Sequence, residues 1–386
     1  MPTDIAVADE LVATVRDWVQ KEVLPVASDY EHADRYPEPL VEQMKAFGLF
    51  GATIPEAYGG LDLDSRTYAR LIEELSYGWM SLAGVLNTHM IGANLIKRFG
   101  TDEQRERHLP KMATGEVRGA FSLSEPDAGS DTQALRCKAT PDGETYLING
   151  TKMWVTNGER SGVVALAART PEGITCFIVE KKPGRSHEGI AVSRTIDKLG
   201  YKGLETVEMT YTDHRVPKSA VLGGPEGLGR GLHFILGSLE LGRINIAARA
   251  CGVARAAYDA AMHYAHQRET FGVPIAKHQA IQFKLADMAT KLEAARLLTR
   301  SAAEKFDSGE RADVEAGMAK LFASEAAFEI ATESMRIHGG YGYTKEFPVE
   351  RYYRDAPLML IGEGTNEIQR MVIARGLMAR YAESHR

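Results

Sequence analysis

The pattern of apolar and polar positions changes twice along the chain. Up to about residue 118, apolar residues recur at helical spacing, as in Leu71 to Met80 and Leu86 to Phe99. Breaks fall at Pro37, Pro39, Pro55, Gly59 and Gly60. From 119 to about 226 the texture becomes short β-branched or apolar runs: Tyr146 to Ile148, Val163 to Ala168, Ile174 to Val179 and Val207 to Tyr211. Asn149-Gly150 and Asn157-Gly158 read as tight turns, which favours antiparallel hairpins over parallel strands. From Gly227 the helical spacing returns in longer runs. Leu285, Met288, Leu292, Ala295 and Leu298 step along one face, and Val314, Met318, Leu321 and Glu325 begin another that continues through Ile330 to about Ile337. Long helices with few breakers predict a bundle. The expected fold is α+β: an N-terminal helical domain (1–118), a central antiparallel β domain (119–226) and a C-terminal four-helix bundle (227–386).

Composition narrows the function classes. A chain of 386 residues exceeds one small core, and 44% hydrophobic with 25% charged residues is ordinary for a globular protein. The net charge of -6, with scattered acids, gives no footprint for nucleic acid. No apolar run approaches the roughly 20 residues that cross a bilayer, so no membrane partner is expected. The first residues carry acids early and lack a cleavage signal, and the chain ends Ser-His-Arg rather than with a peroxisomal address. The expected location is cytoplasmic. Cys137, Cys176 and Cys251 lie far apart, which excludes a zinc ribbon or disulfide framework. No histidine pairs with acids or cysteines at metal-ligand spacing, and no metal is expected. Walker A, HExxH and GxSxG motifs are absent, and the glycines near 223–231 do not follow a parallel strand.

The segments that remain make sense together. The run from Phe121 through Leu123, Ser124, Gly129 and Ser130 to Asp131 reads, alone, as a turn rich in small hydroxyls. Thirty residues on comes Lys152-Met-Trp154-Val-Thr156-Asn-Gly158. Its tryptophan is a core edge by one reading. By another, the indole face covers a planar heteroaromatic ring while the threonine donates to that ring's polar edge. Two further segments are Arg268-Glu-Thr-Phe271-Gly272 with His278 and Gln279, and His338-Gly339-Gly340-Tyr-Gly342-Tyr343 followed by Val349 to Asp355. With these four segments in order, the chain resembles the acyl-CoA dehydrogenase family, from Phe99-Gly-Thr-Asp-Glu-Gln104 to Ile368-Gln-Arg370.

The resemblance implies a helical domain, a β domain and a four-helix bundle, with FAD between the last two. Phe121, Leu123, Ser124, Gly129, Ser130, Trp154 and Thr156 match residues that line the flavin. Arg268, Phe271, His278 and Gln279 match the segment that reaches the FAD of a neighbouring subunit. Arg336, Gly339, Gly340, Thr365 and Glu367 complete the expected cofactor set. Ser130, Glu240, Arg243 and Gly364 are expected at the substrate. A homotetramer is implied, with an acyl-CoA substrate and an electron-transferring flavoprotein as partner in fatty acid β-oxidation.

The chemistry asks for a base at an α-carbon and an acceptor for a β-hydride. No side chain accepts hydride, so an organic cofactor must. Glu363, in Ile361-Gly-Glu-Gly-Thr-Asn-Glu367, matches the family's catalytic glutamate, with its backbone N–H and a flavin ribose hydroxyl expected on the thioester oxygen. Without the resemblance Glu363 reads as a loop acid between helices. Some relatives carry the base on an earlier helix, at the position held here by Gly242, which has no carboxylate; Glu240 should face elsewhere. Two departures stand out. Arg336 replaces a glutamine, which puts its cofactor contact in doubt. Gly362 replaces a tyrosine, which predicts a wider pocket beside the thioester. His89 reads as packed rather than as a contact for a polar acyl tail. The alternatives are an oxygen-using oxidase of the same fold and a non-catalytic acyl-CoA-binding relative. The acyl group itself is not legible.

Overall fold

The computed structural model describes residues 3–385. The N-terminal part comprises α1 (Ile5–Trp18), α2 (Leu24–His32), α3 (Glu38–Ala46), α4 (Ser65–Phe99) and α5 (Asp102–Ala113). Local sequence sets the helix starts. The Asp4 side chain accepts from the Ala6 and Val7 N–H groups at the start of α1, and Thr101 with Gln104 forms a reciprocal capping box on α5. The two helical runs read from sequence form one element, α4, which turns sharply at buried Trp79 (φ -163°, ψ 113°).

The central sheet contains β1 (Gly119–Ser122), β2 (Lys138–Asp142), β3 (Thr145–Thr156), β4 (Val163–Thr170), β5 (Gly173–Glu180), β6 (Ser186–His187), β7 (Ile190–Thr195) and β8 (Thr206–Pro217). Its order is β1-β4-β2-β3-β8-β7-β6, with β5 on β4. All four runs read as strands fall in β3, β4, β5 and β8. Pairing is mainly antiparallel, but β1 and β4 run parallel. One turn expectation is corrected. Asn149-Gly150 lies inside β3, at a register shift against β8, because a Cβ on Gly150 would stand 2.7 Å from the Cys137 Cα. The glycine there serves a bulge and close strand approach rather than a hairpin. Asn157-Gly158 does leave the strand, with Asn157 at φ 61°.

A small hairpin, β9 (Glu269–Thr270) and β10 (Val273–Pro274), follows α6 (Gly231–Gln267). Then come α7 (Gln279–Asp307), α8 (Asp313–His338), α9 (Val349–Ile361) and α10 (Asn366–Ser384). The α7 stripe is borne out at Leu285, Met288, Leu292 and Ala295, which are buried, while Leu298 is only partly buried. The α8 stripe is corrected, since Met318 and Leu321 are only partly buried and Glu325 is exposed. Val314, Ile330 and Ile337 of that stripe are buried as expected, and between them the buried face is made by Ala316, Ala319, Ala323 and Ala327. Small side chains let α6 approach closely enough for the Ser334 hydroxyl to donate to the Ala257 carbonyl at 2.7 Å. The largest buried cluster runs from Val12 in α1 through Trp79 to Met359 in α9, so N- and C-terminal helices share one core. No described helix is long and apolar enough to cross a membrane.

Candidate active site

Glu363 stands in the short link between α9 and α10. Glu363 (φ 57°) and Gly364 (φ 86°) are both left-handed, a conformation unfavourable for glutamate that surrounding contacts must impose. Those contacts are present. Gln369 Nε2 donates to the carbonyls of Glu363 (3.0 Å) and Gly364 (3.1 Å). Fully buried Lys320 donates to the Leu360 carbonyl at 3.1 Å and to Asn366 Oδ1 at 2.6 Å. Thr365 caps α10 by accepting from the Ile368 N–H. Desolvation pulls the Lys320 pKa down to about 8.

The Glu363 side chain turns toward α4 and α6. Its Oε1 accepts from Asn87 Nδ2 at 3.0 Å, and its Oε2 lies over Gly242. The residue as a whole is only partly buried, yet its carboxylate meets buried Asn87 and Gly242. Burial raises its pKa, and this outweighs the opposing pull of Arg249, the Asn87 hydrogen bond, Arg243 and Lys320. Arg243 is buried, its Nε lacks a partner, and desolvation lowers its pKa. Buried Glu240 has its pKa raised by desolvation, and no described hydrogen bond joins it to Glu363. His89 is fully buried. It accepts from the Gly119 N–H at Nδ1 (2.9 Å), so its Nε2 donates to the Phe50 carbonyl (3.1 Å), and burial lowers its pKa to about 4. It is a packing residue.

A second group belongs to the sheet. Lys152, fully buried on β3, pairs with Glu125 at 2.8 Å and donates to the Leu123 carbonyl at 2.9 Å. Glu125 also accepts from the N–H groups of Arg136 and Cys137. Burial pushes the Glu125 carboxyl upward, but Lys152 and these donors together hold it below the usual range. The Met153 N–H donates to the Ser124 carbonyl at 2.8 Å. The Phe121–Ser124 segment is thereby locked beside Trp154, with Gly129 and Ser130 exposed beyond it. Trp154 sits at a register shift with φ 63° and is 59% exposed, an indole held outward against both conformational and hydrophobic preference. The Thr156 hydroxyl lies 3.4 Å from that of Thr206.

A third group lies at the other end of α6. Arg268, Gly339 and Gly340 line a cleft of about 550 Å³ with Tyr264, Thr270 and His338. His278 Nε2 is 3.0 Å from the Thr270 hydroxyl, Gln279 opens α7, and Phe271 (φ 51°) is 97% exposed. Arg336 is exposed and ion-paired with Glu333. Among the described residues, no hydrogen bond or ion pair links this group to Glu363 or to residues 121–156. Glu367 is exposed on the first turn of α10.

Several contacts of the site were not singled out from the sequence: those of Asn87, of Lys320 and of Lys152 with Glu125. The available signal was a lone lysine among small residues in α8. The Val349–Asp355 segment proves structural. Arg354 pairs with Glu31 and Glu350, and Asp355 Oδ1 accepts from the Tyr201 N–H at 2.6 Å. Burial raises the Asp355 pKa to about 6. Glu31, His32 and Glu350 cluster closely enough for a metal, but Arg354 already engages both carboxylates.

A helical, β, helical order with a buried carboxylate between two helices and an outward indole on the sheet defines a family. The chain belongs to the acyl-CoA dehydrogenases, matching the N-terminal domain of that family over residues 7–116, the middle domain over 120–214 and the C-terminal domain over 229–378. It is 42% identical over 373 residues to a 3-(aryl)acrylate reductase of Clostridium sporogenes, covering 94% of this chain and 96% of that protein. It is 41% identical to the short-chain specific mitochondrial acyl-CoA dehydrogenase of Bos taurus, covering 95% and 89%. Its fold superposes on butyryl-CoA dehydrogenase from Megasphaera elsdenii with a TM-score of 0.92 at 36% identity, covering 98% and 100%. The chain is an oxidoreductase of this class, and its cofactor is FAD. The exposed indole of Trp154 and the open backbone at Gly339 and Gly340, where a Cβ would meet nothing within 4 Å, fit a large planar, phosphorylated ligand.

Proposed function

We propose that the enzyme desaturates an acyl-CoA thioester between its α- and β-carbons, with Glu363 as the base that takes the α-proton. The observation that carries this reading is the placement of the Glu363 carboxylate. It is aimed by Asn87, seated over a glycine, and desolvated so that it binds a proton more readily than an ordinary carboxylate. FAD, when bound, accepts the hydride that leaves the β-carbon. Among the described residues no acceptor engages the Glu363 N–H, which leaves it free to donate to the thioester oxygen, where charge develops as the proton departs. The left-handed backbone at Glu363 and Gly364 presents that donor, and Gln369 and Lys320 keep it in place. The same groups serve the reverse reduction, so direction follows from the electron partner.

In this reading Phe121, Leu123, Ser124, Gly129, Ser130, Trp154 and Thr156 hold the flavin end of FAD. Thr365 and Glu367 adjoin it, and Ser130, Arg243 and Gly364 border the thioester. Arg268, Phe271, His278, Gln279, Gly339 and Gly340 hold the adenosine end of a neighbouring subunit's FAD. The Nη1 of Arg336 is engaged by Glu333, which leaves its other donors for a cofactor oxygen, and Glu240 is the least supported of the substrate residues. A homotetramer is the proposed assembly, and its interfaces would cover some of the exposed apolar side chains Phe283, Leu297, Met378 and Tyr381. Electron-transferring flavoprotein is the proposed acceptor. The proposed domain limits near 118 and 226 lie in the links between α5, which ends at Ala113, and β1, and between β8 and α6, which starts at Gly231. A Glu363→Gln variant that retains FAD should lose turnover by several orders of magnitude; normal turnover would refute the assignment.

A further inference from the structure

Arg249 is a buried cation that makes no ion pair among the described residues. It is 2% exposed, and neither its Nε nor its Nη1 has a hydrogen-bond partner. No carboxylate among the described residues lies within ion-pair distance of it. Leaving such a charge unpaired inside a protein is costly, and a site that does so is built to be completed by something else.

Its position says what. Gly242, the residue under the Glu363 carboxylate, and Arg249 are seven residues apart on α6 and share one face, about 10 Å apart along the axis. A helical side chain leans toward the helix N-terminus, so the guanidinium leans back toward Glu363. Arg249 is accordingly the first of the charges that act on the Glu363 carboxyl. Asn245 lies between them on the same face. Its Nδ2 donates to the Tyr68 hydroxyl at 2.8 Å, while its Oδ1 is unpartnered. The Tyr201 side chain closes the far side, its hydroxyl within reach of the guanidinium and its ring 5.6 Å from the Arg249 Cζ, which leaves Nε and Nη1 without an acceptor. Its hydroxyl occupies space that only a glycine at 84 leaves open, since a Cβ there would stand 1.9 Å from the oxygen. The face of α6 that runs on from Gly242 is therefore polar and cationic at Asn245 and Arg249, where a plain alkyl chain would ask for apolar side chains.

We infer that Arg249, with Asn245 and Tyr201, forms a subsite for a carboxylate at the far end of a short acyl chain, so that the preferred substrate is a dicarboxylic acyl thioester. A carboxylate supplies both the charge and the acceptors that the guanidinium lacks. The short spacing from Gly242 restricts the tail to a few carbons. This inference rests on the proposed dehydrogenase reading.

The test uses the FAD-loaded enzyme and two CoA thioesters of equal chain length, one ending in methyl and one in carboxylate. The wild type should favour the carboxylate-ended thioester in kcat/KM by at least about tenfold. Arg249→Gln should abolish or invert that ratio, and Arg249→Lys should restore part of it. A wild type with no preference, or a preference that survives Arg249→Gln, overturns the subsite while leaving the dehydrogenase standing. Failure of both thioesters to reduce the wild-type flavin overturns the dehydrogenase reading and the subsite with it.

Discussion

Oε2 of Glu363 lies 3.0 Å from the point where a Cβ on Gly242 would stand. That contact is tighter than real Cβ atoms ordinarily make, so a side chain on α6 at this point would push the carboxylate aside by a few tenths of an ångström. The two positions meet although they are far apart in sequence. A relative with its base at the Gly242 position would thus bring a carboxylate to the same corner from the opposite wall.

Gly242→Ala should therefore disturb the base without disturbing the fold. A displacement of a few tenths of an ångström to about 1 Å should lower kcat by roughly ten- to a hundredfold, with FAD content unchanged. The double change Glu363→Gly with Gly242→Glu should recover activity above that of Glu363→Gly alone. Steady-state kinetics on the three variants decides the matter, and a Gly242→Ala enzyme with full turnover would count against the contact.

The pH dependence follows from the direction of the Glu363 shift. As the proposed base, Glu363 must be ionised to act, and burial raises its pKa above the ordinary value of 4.5. Activity should thus fall as pH drops through a value higher than for a solvated glutamate. Asn87 donates to the ionised form, so Asn87→Ala should move this acid limb upward by about one pH unit. A limb that stays put in kcat/KM profiles would separate Asn87 from the base.

Lys152 and Glu125 form a buried pair that fixes the Ser124 segment to β3. Lys152→Met leaves a carboxylate with two backbone donors but no cation, and should cost about 3–5 kcal/mol in denaturant unfolding. Adding Glu125→Gln should recover much of that loss. The sign with pH is defined. The folded-state pKa of Glu125 is lowered, so its contribution is present above the unfolded value and is lost as pH falls through the folded one. The wild type's advantage over Lys152→Met should shrink in acid.

Gly362 caps α9 with φ -64°, and a Cβ there would touch only the Leu358 carbonyl, at 3.4 Å. Gly362→Tyr should fold normally and narrow the space before Glu363. The ratio of kcat/KM for straight over α-branched thioesters should rise several-fold. An unchanged ratio would show that this edge of the loop does not border the acyl group.

The three-part order and the strands were legible because each leaves a local mark, and the segment that carries the proposed base was singled out by its motif. What was not legible depends on contacts between distant segments. Asn87 and Arg249 gain meaning only where α4 and α6 pass Glu363. Gly150 reads as a turn until Cys137 is seen against it. The buried face of α8 is made of alanines, which carry little hydrophobic signal yet permit the closest helix approach. Trp154 could be read as core or as platform, and only its outward pose at a bulge separates the two.

The most direct test of the central claim is the visible spectrum of the FAD-loaded enzyme during anaerobic titration with a panel of acyl-CoA thioesters, compared with Glu363→Gln. The account predicts that the wild-type flavin bleaches rapidly with at least one thioester, while the variant binds the same thioester without bleaching. Equal bleaching in both would contradict the role of Glu363, and a wild-type flavin that no thioester bleaches would contradict the reaction.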